Sequence, residues 1–84
     1  MAEVKVYITD YCPYCTRAKM LLKRKGVAFE EIDVTGDDAQ RQWLVKTTGQ
    51  RTVPQIFIGG KPVGGCDDLY ALDRKGELDK LLAG

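Results

Sequence analysis

Two cysteines separated by two residues, Cys12-Pro13-Tyr14-Cys15, are the part of this chain best equipped for chemistry. Such a pair can open and close as a disulfide. The attacking species in that exchange is the thiolate. A thiolate is favoured at a helix N-terminus, where unpaired backbone N–H groups and a partial positive charge meet the sulfur. The surrounding sequence provides that setting: an apolar run ends just before Cys12, and a helical pattern begins within the motif. Pro13 suits a first helical turn, because the N–H it lacks is not needed there. Cys12 is therefore the candidate nucleophile. Spacing alone would be a weak signal, whereas spacing with strand, proline and helix is a strong one. A zinc site would need four ligands, and the chain offers this pair, a distant Cys66 and no histidine.

The elements that must position the pair follow from periodicity and turn residues. Val4 to Ile8 reads as a buried first strand, and Thr9-Asp10-Tyr11 as a short loop. Pro13 opens a helix running to about Lys25, with Ala18, Leu21 and Leu22 on one face and Arg17, Lys19, Lys23 and Arg24 facing water. Gly26 follows as its C-terminal glycine. Phe29 to Val34 is a second strand. Thr35-Gly36-Asp37-Asp38 carries capping chemistry for a helix over 38–48, which Gly49 ends. After Thr52-Val53-Pro54, Gln55 to Ile58 forms a third strand. Gly59-Gly60 turns the chain into a short fourth strand, Lys61 to Val63. Gly64-Gly65-Cys66 leads into a helix from about Asp67 to Lys75, and a last turn or two spans Glu77 to Leu82. The layout is α/β, with parallel crossovers in the first half and an antiparallel hairpin in the second.

Composition narrows the function classes. With 84 residues the chain is expected to be one domain over 1–84. A net charge of +1 gives no case for nucleic acid. No apolar run approaches the length of a membrane span. The opening MAEVKVYITD reads as a strand rather than a signal peptide, and a cytoplasmic, reducing location is expected. Three cysteines, an odd number, suggest reactive or incidental thiols rather than a structural disulfide framework. Lys23-Arg24-Lys25 reads as a solvated helix end that complements its own dipole and can steer acidic protein substrates. Trp43 is expected to be packed or half-covered.

Three separated blocks now carry a resemblance: Cys12-Pro13-Tyr14-Cys15, Thr52-Val53-Pro54-Gln55-Ile56-Phe57-Ile58, and Gly64-Gly65-Cys66-Asp67-Asp68-Leu69. With the strand–helix order between them, the chain resembles a dithiol glutaredoxin of the small bacterial type, over essentially its whole length. That resemblance implies a thioredoxin fold, a four-stranded mixed sheet flanked by helices in the order β-α-β-α-β-β-α. It also implies that Pro54 is cis and lies beside Cys12, leaving the Val53 backbone to pair with an extended peptide such as glutathione. The backbone of Cys66, with the backbone and side chain of Asp67, would hold the γ-glutamyl end, the helix N-terminus taking the carboxylate. Asp67 also reads simply as a helix cap, and both roles are compatible. Tyr14 would flank the groove beside the sulfur, and Thr52 would sit at its edge. Arg41 falls where the family places a polar or basic residue for the glycine carboxylate, although taken alone it reads as a solvated helix residue. Cys66 reads either as a small residue at a helix start or as a secondary thiol.

The implied activity is glutathione-dependent thiol–disulfide exchange. Cys12 takes the glutathionyl group from a mixed disulfide. Cys15, one turn further in, resolves mixed disulfides formed with protein substrates. Glutathione acts as co-substrate, with no tightly bound cofactor and no metal. Glutathione, with its NADPH-dependent reductase, supplies the electrons, and the partners are glutathionylated or disulfide-containing proteins such as ribonucleotide reductase. The implied working form is a monomer, with neither nucleic acid nor membrane as partner. The alternative is a glutathione-ligated iron–sulfur scaffold, which Pro13 and the second cysteine disfavour. Thioredoxin proper would show a Gly-Pro pair between the cysteines and would lack the Gly-Gly-Cys-Asp-Asp block.

One departure stands out. Many glutaredoxins carry lysine three residues before the nucleophile, where this chain has Thr9, followed by Asp10. Losing a cation and gaining an anion there should leave Cys12 less readily ionised, or glutathione more weakly bound. Thr9→Lys is accordingly expected to make the Cys12 thiol more acidic or lower the KM for glutathione. Thiol titration and kinetics identical in the two proteins would refute this.

Overall fold

The computed structural model describes residues 2–83; Met1 and Gly84, the ends of the expected domain, lie outside the described residues. Its centre is β1 (Val4–Ile8), which pairs in parallel with β2 (Glu30–Asp33) and antiparallel with β3 (Gln55–Ile58). β4 (Lys61–Gly64) then joins β3 antiparallel, giving the order β2-β1-β3-β4. This is the four-stranded mixed sheet of a thioredoxin fold. Only one crossover is parallel, β1 to β2 through α1 (Pro13–Arg24), since β3 docks on the far side of β1 and runs the other way. The sequence reading of repeated parallel crossovers missed this long-range choice. The edges are blunted, β2 by its mostly exposed acidic residues and β4 by Pro62.

Alternation along the strands divides the core between the two faces of the sheet. Val4, Val6, Ile56 and Ile58 pack on one face with Ala18, Leu21 and Leu22 of α1, Leu69 of α3 (Cys66–Arg74), and Leu78 and Leu82 of α4 (Glu77–Ala83). Tyr7 and Phe57 face the other way, against Val34 and Leu44 of α2 (Asp38–Thr48). Trp43, 43% exposed, stacks on Phe57 with ring centroids 5.7 Å apart and half-covers that smaller cluster. Lys25, capping α1, bridges to Asp73 and Asp79, whose hydrogen bonds hold its ammonium pKa above the usual lysine value.

Local chemistry explains the boundaries. Asp37 caps α2 by accepting the Gln40 N–H at 3.0 Å, and Gly49 closes it. Gly59 and Gly60 have φ of +60° and +82°, the pair of positive angles that a two-residue hairpin turn requires. β2 is shorter than the pattern suggests. Phe29 packs on the core instead of pairing, and beyond Asp33 the Val34 N–H donates to the Ile8 carbonyl at 2.8 Å. α3 begins one residue earlier than expected because Asp68 Oδ2 accepts the Gly65 N–H at 3.1 Å, making Gly65 the N-cap.

Candidate active site

Cys12 is the N-cap of α1, and its sulfur accepts the Cys15 backbone N–H at 3.1 Å. The sulfur thus meets a backbone N–H donor at the positive end of the helix. The two cysteines form a disulfide with Cα atoms 5.1 Å apart. Their exposure differs sharply. Cys12 is partly exposed, whereas Cys15 points inward and is 2% exposed.

The loop presenting Cys12 is tied to the sheet. Asp33 Oδ1 accepts the Thr35 N–H at 2.8 Å, and Thr35 Oγ1 accepts the Asp10 N–H at 2.8 Å. Both the hydroxyl and the N–H of Thr35 hold the Asp33 carboxyl below its usual range. Asp10 in turn accepts the Tyr11 N–H at 2.8 Å. The Asp10 carboxylate is thus engaged with the loop backbone.

Across from the sulfur lies the second sequence block. The Val53–Pro54 bond is cis, as the resemblance implies, and the Val53 carbonyl oxygen stands 3.8 Å from Cys12 Sγ. Beside it opens a hollow of about 370 Å³ lined by Tyr14, Gln50, Thr52, Val53, Pro54 and the α3 start, Gly65 to Asp68. The structure therefore gathers Tyr14, Thr52, Val53, Pro54, Cys66 and Asp67 around one groove. Arg41 is placed apart. It donates from Nη2 to the Arg51 carbonyl at 3.3 Å and lines a neighbouring hollow of about 440 Å³ with Asp38, Lys46 and Arg51. The two hollows share no lining residue: Arg51 lines this one, whereas its neighbours Gln50 and Thr52 line the groove. Cys66 is 5% exposed; burial pushes its thiol pKa up, the nearby Arg17 guanidinium pulls it back, and Asp67 adds to the rise.

Three lining residues lie outside the sequence reading's candidates: Gln50, Gly65 and Asp68. Asp68 had a legible signal, an acidic side chain three residues after a helix-starting glycine. Gln50 had none, being one exposed polar residue in a loop.

Gly64 shows how tightly this corner is built. Its φ is +109°, and a Cβ there would run into the Asp68 side chain, 2.8 Å from that residue's own Cβ. Gly64→Ala therefore strains the backbone and pushes Asp68 off the Gly65 N–H. The expected loss is roughly 2 kcal/mol, seen as a fall in Tm of about 10 °C. Thermal unfolding within about 2 °C of the parent would contradict this account of the corner.

The arrangement is suited to disulfide exchange: one sulfur at the rim, a second beneath it, and a groove alongside. Among the described residues no cluster of metal-ligating side chains occurs, and no helix is long and apolar enough to cross a membrane.

Comparison with known proteins agrees with that chemistry. The family model described as Glutaredoxin matches residues 4–63. Glutaredoxin 3 of Escherichia coli (strain K12) is 55% identical over 82 residues, covering 98% of this chain and 99% of the relative. A Pseudomonas aeruginosa glutaredoxin is 55% identical over 83 residues, covering 99% of each. Among solved structures, a buckwheat glutaredoxin–glutathione complex superposes with a TM-score of 0.92 at 39% identity, over 98% of this chain and 77% of that one. The solution structure of a Brucella melitensis glutaredoxin gives 0.88 at 52% identity, over 98% and 89% of the two chains.

Proposed function

Because the chain belongs to the glutaredoxin family and so is a thiol–disulfide oxidoreductase, we propose that it works with glutathione, acting as a single domain over 1–84. The observation that carries this reading is the Cys12 sulfur, held by the Cys15 N–H at a helix N-cap and 3.8 Å from the Val53 carbonyl that edges the groove. The buckwheat relative, solved as a glutathione complex, supports a glutathione-sized occupant there.

In the first step the Cys12 thiolate attacks the glutathione sulfur of a protein–glutathione mixed disulfide. A Cys12–glutathione disulfide forms, and the protein leaves as its thiolate. A glutathione thiolate then attacks the glutathione sulfur bound to Cys12, releasing glutathione disulfide and restoring the Cys12 thiolate. For a protein disulfide, the Cys12 thiolate attacks one substrate sulfur, forming a mixed disulfide with it and releasing the other as a thiolate. Cys15, once deprotonated, attacks Cys12 Sγ, expels the substrate sulfur bonded to Cys12 as a second thiolate and closes the Cys12–Cys15 bond, which two glutathione molecules reduce.

Each side chain has a role in binding. Val53 offers its backbone N–H and carbonyl to the cysteinyl residue of glutathione, and Pro54, buried behind it, fixes that edge. The start of α3 takes the γ-glutamyl end, with the Cys66 and Asp67 backbone on the carboxylate and the Asp67 side chain on the ammonium. Tyr14 and Thr52 wall the sides. Arg41 would attract the glycine carboxylate across the 51–52 segment, where Arg51 lines its hollow and Thr52 the groove. Glutathione is a co-substrate in this scheme. Glutathionylated and disulfide-bonded proteins are the partners, ribonucleotide reductase among them, and the chain acts as a cytoplasmic monomer. Pro13 within the motif and the inward-turned Cys15 favour exchange over cluster bridging.

A coupled assay tests the reading, using a glutathione mixed disulfide of a small thiol, glutathione, glutathione reductase and NADPH. Steady NADPH consumption is expected. Folded, reduced protein that gives none would refute glutathione dependence, and a brown product on anaerobic iron–sulfur reconstitution would then favour the scaffold.

A further inference from the structure

Among the described residues Gln55 is the only buried polar or charged side chain, 1% exposed. It sits on β3 opposite Tyr7, beneath the segment that leads into the groove. Its Nε2 lies 2.9 Å from the Thr52 carbonyl, 3.1 Å from Gln50 Oε1 and 3.4 Å from Thr52 Oγ1. A carbonyl only accepts, so the Gln55 amide must present its nitrogen on that side. Gln50 must then answer with its oxygen. The donor end of the Gln50 amide is thereby left free, on an exposed residue that lines the groove. Gln55 Oε1 finds no hydrogen-bond partner among the described residues. An unpaired buried acceptor is costly and an apolar side chain would avoid it, so the position has use for the donor.

The placement of Gln50 selects what it can reach. Gln50 and Asp68 are the two residues shared by the groove and an adjoining hollow of about 290 Å³, which puts Gln50 towards the α3 end. Arg41 lines neither of these. We propose that Gln50 is a substrate-binding residue that donates from Nε2 to the carboxylate of a γ-glutamyl group, and that Gln55 is the positioning residue that turns the amide that way. This rests on the glutathione reading above and adds to it a residue that reads the γ-glutamyl end.

The test compares kcat/KM for the glutathione mixed disulfide with that for the cysteinylglycine mixed disulfide, which lacks the γ-glutamyl group. The ratio removes any general effect on Cys12. The parent prefers the glutathione substrate. Gln50→Ala lowers that preference roughly tenfold, as expected for one hydrogen bond to a charged group. Gln50→Glu, which sets carboxylate against carboxylate, lowers it further. Gln55→Leu also lowers it, but adds little in a Gln50→Ala background. A Gln50→Ala protein that keeps the parent's preference overturns the assignment, and because Gln50 is exposed this holds even if Gln55→Leu does not fold. A Gln55→Leu effect that persists in full without Gln50 overturns the positioning role. A parent with no preference between the substrates overturns the glutathione reading itself.

Discussion

Cys12→Ser is expected to lose both activities, turnover of a glutathione mixed disulfide and reduction of a protein disulfide, each by at least about a thousandfold. The loss should be chemical rather than structural. Serine is among the best N-cap residues, so its hydroxyl can accept the Cys15 N–H that now reaches the sulfur at 3.1 Å. The helix start, the loop held by Thr35 and the groove all survive that exchange. What disappears is a sulfur that, as the thiolate, attacks disulfides. A hydroxyl does not do so without a strong base, and this chain contains no histidine to act as one. Cys15 cannot take over, because it is 2% exposed and lies below the rim. The coupled assay and a thermal melt on the same preparation decide the matter: near-parental Tm with background turnover is the expected pair. A folded variant keeping a tenth or more of the activity would remove Cys12 from the mechanism.

The sequence revealed what depends on local chemistry. The Cys-x-x-Cys pair, Pro13 at the helix start, Gly59-Gly60 at the hairpin and Asp37 before α2 each work within a few residues, so type and spacing were enough. The whole of α2 and all of β3 fall where the periodicity put them. Long-range choices were less legible. Nothing in Gln55 to Ile58 says that β3 should lie beside β1 and run against it, since the apolar run Ile56 to Ile58 suits any central position. The groove follows the same division. The cis peptide beside Cys12 came through resemblance and not from periodicity. Gln50 became visible only with its partner, because an amide in a loop acquires direction from what holds it. Arg41 illustrates the converse. Its place in the family pattern is clear, yet here its guanidinium binds the Arg51 carbonyl and lines the next hollow. A contact with glutathione would require the side chain or ligand to reach across the 51–52 segment.

The second large effect separates the two routes. Cys15→Ser is expected to retain deglutathionylation at a rate within a few-fold of the parent, and to lose most reduction of protein disulfides. Deglutathionylation uses one sulfur, and the Cys12 sulfur keeps its hydrogen bond, because the donor at position 15 is a backbone N–H. Nor is the fold at risk. Serine differs by one atom, and a hydroxyl at this buried site should cost about 1–2 kcal/mol, several degrees of Tm at most. Protein disulfides are another matter. Once Cys12 is joined to such a substrate, release without Cys15 waits for glutathione to enter a site that the substrate itself covers. With Cys15 present, the resolving sulfur is already one turn away on the same helix. The variant should therefore accumulate a covalent complex through Cys12, seen as a higher band on non-reducing gels and cleared by dithiothreitol. Parental reduction of a protein disulfide without that adduct would mean that Cys15 does not resolve it, and would leave the Cys12–Cys15 bond as a resting form and not a step in turnover.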